Sequence, residues 1–119
     1  NTLTLSKVYK INLYLHQQTI NTMQEIINII TDVTGVTESD IISKDRTRRV
    51  TEARFVLSAM LHKYTNLTLD RIGKVSNRDH STAVYHLKQY KLLYEVDVCF
   101  RTAAIDVDEL IDLPVNRPL

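Results

Sequence analysis

The run Arg78-Asp79-His80-Ser81-Thr82-Ala83-Val84 concentrates more chemistry than any other stretch of this chain. A charged pair, a histidine and two hydroxyls stand ahead of an amphipathic stretch through Tyr85, Leu87, Tyr90, Leu92 and Leu93. Short polar groups at a helix N-terminus can reach base edges and phosphates while the later turns pack on a core. A nucleophile–base pair is disfavoured, because adjacent helical residues such as His80 and Ser81 do not face each other. Residues 51–75 read as two helices and a tight turn, so the region of about 51–94 is predicted to be a helix-turn-helix that binds DNA.

The elements that must position this run can be read from spacing and caps. Residues 1–21 form an N-terminal extension of ambiguous structure: Tyr9, Ile11, Leu13 and Leu15 alternate as in a strand, while Leu5, Val8, Tyr9 and Leu13 fit a helical stripe. Met23, Ile26, Ile27 and Ile30 recur at helical spacing, with Gly35 as the stop. Thr37-Glu38-Ser39-Asp40 can cap a short helix that carries Ile41 and Ile42. The segment 43–50 has no apolar period and four positive charges, which predicts a basic loop. Thr51 is expected to cap a helix whose inner face is Val56, Leu57, Met60, Leu61 and Tyr64. Thr68 caps the next, a short helix with Leu69, Ile72 and Val75 inward, and Gly73 inside it suggests close approach of a neighbour. A last helix carries Ile105, Val107, Leu110 and Ile111, and residues 114–119 form a tail closed by Pro114 and Pro118. The helical domain is thus placed at 22–113, and the fold class is all-α.

Composition narrows the function classes. In 119 residues there are two glycines, two prolines and one cysteine, which favours a compact helical domain and excludes an internal disulfide. No apolar run has the length of a membrane span and no signal-peptide pattern opens the chain, so a cytoplasmic setting without membrane contact is expected. The net charge of +1 conceals an asymmetry: residues 43–91 carry net +7, against −2 before and −4 after. A basic middle between acidic ends is the footprint of a nucleic-acid face. One cysteine and scattered histidines cannot close a zinc site, and Asp106, Asp108, Glu109 and Asp112 lack the glycine of a calcium loop, so no metal and no cofactor are expected. Cys99 is expected to pack beside Phe100, and tyrosines 85, 90 and 94 to pack between helices.

Three pieces in order resemble the C-terminal DNA-binding domain of the bacterial replication initiators of the DnaA family, over roughly residues 22–95. They are the basic loop Lys44-Asp45-Arg46-Thr47-Arg48-Arg49-Val50, the turn Thr65-Asn66-Leu67-Thr68-Leu69-Asp70-Arg71-Ile72-Gly73, and the signature Arg78-Asp79-His80-Ser81-Thr82. The resemblance implies a Trp-repressor-like helix-turn-helix that binds double-stranded DNA sequence-specifically, without catalysis, in replication initiation or its regulation. Asp79, His80, Ser81 and Thr82 then match the residues that read bases in the major groove, and Arg54 matches an arginine that contacts guanine through its bidentate fork. Arg46 matches the loop arginine of the minor groove. Charge and placement assign Arg48, Arg49, Lys63, Lys74 and Arg78 to phosphates.

The chain also departs from the family pattern. Phe55 replaces a glutamine, Asp70 replaces a proline, and Ser76-Asn77 replaces a glycine pair, which implies a related but altered DNA site. Gly35 and Gly73 are too far apart for a phosphate loop, so ATP is not hydrolysed that way. The expectation is a stand-alone binder, as a mobile element could encode, or a fragment whose partner is a parent ATPase module. The competing classes are a protein-interaction module and a transcription- or transposition-associated DNA-binding domain; the oligomeric state is open.

Overall fold

The computed structural model describes residues 22–112, so the extension 1–21 and the tail 114–119 lie outside the described residues. Among the described residues there are six helices and no strand: α1 over 22–34, α2 Glu38–Ile42, α3 Arg48–Tyr64, α4 Leu69–Val75, α5 His80–Val96 and α6 Val98–Ile111. The fold is all-α, as composition and periodicity predict.

Local chemistry sets most of the ends. α1 buries Ile26, Ile27 and Ile30 and stops at Gly35, whose φ of +74° is the left-handed conformation that suits a residue without Cβ. Thr37 and Asp40 form the expected capping box of α2: the Asp40 N–H donates to Thr37 Oγ1 at 3.1 Å and the Thr37 N–H to Asp40 Oδ2 at 3.4 Å. Thr68 caps α4 by accepting from the Arg71 N–H at 3.3 Å.

One boundary differs from expectation. α3 begins at Arg48, with Thr47 at the cap position, and not at Thr51. The Thr51 N–H donates to the Thr47 carbonyl at 2.9 Å, so residues 48–50 are already the first turn. Val50 explains the early start, since it is buried and opens the inward set continued by Ala53 and Leu57. The basic loop proper is therefore residues 43–47, held by the Asp45 N–H on Ser43 Oγ (3.1 Å) and the Thr47 N–H on Asp45 Oδ1 (2.8 Å).

α3 is the central element, buried along Val50, Ala53, Phe55, Val56, Leu57, Ser58, Met60 and Leu61. A helix buried on more than one face lies inside its bundle rather than on its surface. α5 packs across α3 and α4, with Ala83 and Ile72 fully inside. Tyr90 joins α5 to α6 through a Phe100 ring 5.7 Å away. α6 turns Phe100, Ala104, Val107 and Ile111 inward. Cys99 is one residue out of that register and is exposed, contrary to the expectation that it packs. Ile105 and Leu110 of the same helix are each 38% exposed.

Candidate nucleic-acid interface

The α4–α5 turn is built around a close approach. A Cβ on Gly73 would lie 2.4 Å from the Asp79 carbonyl oxygen, so only glycine allows the two helices to meet there. The Gly73 carbonyl accepts the N–H groups of Ser76 (3.1 Å) and Arg78 (2.8 Å), and Asn77 takes the left-handed conformation at φ 61°. Asparagine is among the few residues other than glycine that tolerate that region.

α5 then starts with Asp79 as its cap, the carboxylate accepting from the Thr82 N–H at 2.9 Å. That bond, with the Thr82 hydroxyl, draws the Asp79 carboxyl below its ordinary range. His80 and Ser81 are exposed and Thr82 half-exposed at the same helix end. These four residues therefore sit together, as the sequence places them, on the first turn of a 17-residue helix.

The basic residues divide. Lys44 and Arg46 are exposed on the loop, and Arg49 is exposed at the start of α3. Arg48 is also exposed but is held at 2.8 Å by both Glu52 and Asp97. Lys74 lies 3.2 Å from Asp70, one turn away on α4. Lys63 stands at the far end of α3, 2.8 Å from Asp108 of α6 and 5.1 Å over the Tyr64 ring. Burial raises the Asp108 carboxyl, but its hydrogen bonds from Lys63 and Tyr64 outweigh that and hold it low.

Two arginines have a different place from the one expected. Arg54 is only 3% exposed, and all three of its side-chain nitrogens donate to main-chain carbonyls: Nε to Ile41, Nη1 to Asp45, and Nη2 to Asp40 and Ser43. It presents no fork to a guanine. Burial lowers its pKa first, and the charge of Arg78 adds to this, yet a guanidinium stays charged at neutral pH. Arg78, expected at a phosphate, is half-buried and donates to Ser76, to Ile41 at 3.2 Å and to Ser43 at 2.8 Å.

Beneath this cluster His86 is buried, shares a 2.8 Å hydrogen bond with Ser58, and lies 5.4 Å from the Phe55 ring. Burial, then the Arg78 and Arg54 charges, push its pKa down to about 4, so the ring is neutral at pH 7. Phe55 is 5% exposed, with Tyr85 edge-on at 6.0 Å, which accounts for a hydrophobe at this position. Two basic side chains outside the predicted set, Lys44 of the loop and Arg71 of α4, are also exposed; the charge count of the loop and of α4 was the available signal.

Residues 23–89 match the family described as the bacterial dnaA protein helix-turn-helix. The chain is similar to the chromosomal replication initiator protein DnaA of Bacteroides fragilis, 32% identical over 91 residues, covering 76% of this chain and 19% of that protein. It is 29% identical over 91 residues to the DnaA of Bacteroides thetaiotaomicron, with the same coverage. Against the DnaA of Thermodesulfovibrio yellowstonii it is 34% identical over 77 residues, 64% of this chain and 18% of that protein. The chain thus spans about a fifth of the length of these relatives. No solved structure matches it. With the turn held by Gly73, the capped α5 and the basic loop beside it, the chain belongs to the bacterial DnaA helix-turn-helix family.

Proposed function

We propose that this domain binds double-stranded DNA sequence-specifically, without catalysis, in replication initiation or its regulation in the cytoplasm. The observation that carries the reading is the side-by-side placement of loop 43–47 and the α5 N-terminus, tied together by Arg78. The two elements then offer different probes to a duplex. The first turn of α5, with Asp79, His80, Ser81 and Thr82, enters the major groove, where histidine and hydroxyl groups bond to base edges. Arg46 enters the adjacent minor groove, and Lys44, Arg49 and Arg71 meet phosphates. Arg48 and Lys74, already paired with carboxylates, contribute less. Arg54 is omitted from the base readers because its fork is occupied.

The test is selection of bound sequences from random duplex DNA at near-physiological salt, with His80→Ala and Arg46→Ala as controls. An enriched motif is expected, losing information at one end in His80→Ala and at the other in Arg46→Ala. Each base position lost should cost about 1–3 kcal/mol. Binding without an enriched motif would leave only phosphate attraction. No binding at low salt would turn the assignment to a protein-interaction module, for which Leu92 and Val96, 50% and 67% exposed at the other end of α5, are the available surface.

A further inference from the structure

We infer that Arg54 and Arg78 act as a paired positioning device, which locks loop 43–47 to the turn 76–78 and so sets the distance between the two DNA-facing elements. The inference rests on the DNA-binding reading above. It assigns to these arginines a role in specificity that involves no contact with DNA.

The argument begins with α2. It has five residues, and the last carbonyls of any helix lack intrahelical partners. Here the Asp40 carbonyl already accepts from the Ser43 N–H at 3.2 Å and its hydroxyl at 2.6 Å, and the carbonyls of Asp40, Ile41 and Ile42, with Ser43 following, converge beside the turn 76–78. Arg54 takes Asp40, Ile41 and Ser43; Arg78 takes Ile41 and Ser43; Asn77 Nδ2 reaches Ile42 at 3.5 Å. The carbonyls of Ile41 and Ser43 are therefore each shared by both guanidinium groups. Cations are favoured at a helix C-terminus, which helps to offset the repulsion of two positive groups brought together. The planar fork matters as much as the charge, because it bridges carbonyls at fixed spacing, which an ammonium cannot do.

The two arginines grip the loop from different elements. Arg54 comes from the middle of α3 and also holds Asp45 inside the loop. Arg78 is next to the α5 cap and also holds Ser76. The loop that carries Lys44 and Arg46 is thus fixed on one side to the scaffold and on the other to the start of the recognition helix.

The test uses Arg78→Lys in the whole chain, because Arg54 is buried and its replacement risks unfolding. Lysine keeps the charge and loses the fork. Amide hydrogen exchange should speed up at Asp45 and Thr47 and stay unchanged in α3 and α6; unchanged exchange at 45 and 47 would overturn the clamp. In DNA binding, Arg46→Ala should cost about tenfold in the parent chain and less than about twofold in Arg78→Lys. Additive losses, or full tolerance of lysine as a phosphate contact allows, would overturn the positioning role. A uniform stability loss would leave Arg46 additive and is distinguished in that way. If the parent chain binds no duplex, the DNA-binding reading falls and the spacing role with it, while the exchange measurement still reads the clamp itself.

Discussion

The recognition end of this domain and the α3–α6 flank draw on the same basic segment and use it in opposite ways. At the recognition end, charge is either left exposed, as in Lys44, Arg46 and Arg49, or spent on main-chain carbonyls, as in Arg54 and Arg78. On the flank it is cancelled side chain to side chain, Arg48 by Glu52 and Asp97 and Lys63 by Asp108. A window charge of +7 therefore overstates the DNA footprint. Asp97 and Asp108 of the acidic C-terminal part return in space to pair with Arg48 and Lys63 of the basic middle.

The comparison can be broken most severely at Gly73. Gly73→Ala places a methyl group against backbone that cannot swing aside. We expect a loss of about 3 kcal/mol, at the upper end of overpacking costs, read as a shifted denaturant midpoint, with DNA binding abolished. A variant of parent stability would mean that the turn is not the tight point of the fold.

The next effect is on pH dependence. The folded pKa of His86 is about 4, below the ordinary 6.5, so the unfolded chain binds the proton more readily. The contribution is fully present above about pH 6.5 and is lost as pH falls toward 4, to the extent of about 3 kcal/mol. Thermal melts across pH 7 to 4 should show this decline, and His86→Gln should flatten it over that window. An equal slope in both proteins would place the acid sensitivity elsewhere, for example in the capping carboxylates Asp79 and Asp97, whose pKa values are lowered.

The smallest effect sharpens the comparison directly. Arg46→Ala should reduce the slope of log affinity against log salt by about 1, whereas Lys63→Ala should leave it unchanged and cost at most about 1 kcal/mol of stability. A slope change in Lys63→Ala would return the flank to the DNA-facing surface.

Much of the scaffold was legible because it rests on local chemistry. Gly35, the Thr37–Asp40 box, Thr68 and the glycine inside α4 each act within a few residues of themselves, and each does what its type and spacing predict. The start of α3 was misplaced at Thr51 because two threonines, Thr47 and Thr51, both suit a cap and only the burial of Val50 chooses between them. Cys99 was misplaced by one residue of helical phase, about 100° of rotation.

By itself the sequence determined the all-α class, most of the caps and turns, and the polar run at the head of α5, since these follow from neighbours in the chain. Only the tertiary structure decided which arginines face outward. Arg54 and Arg78 find their partners across 9 to 14 and 35 to 37 residues, and Lys63 finds Asp108 across 45. A guanidinium has the same charge and reach wherever it stands. Whether it meets a phosphate or a buried carbonyl is fixed by which helix end folds against it, and that is a property of packing rather than of residue type.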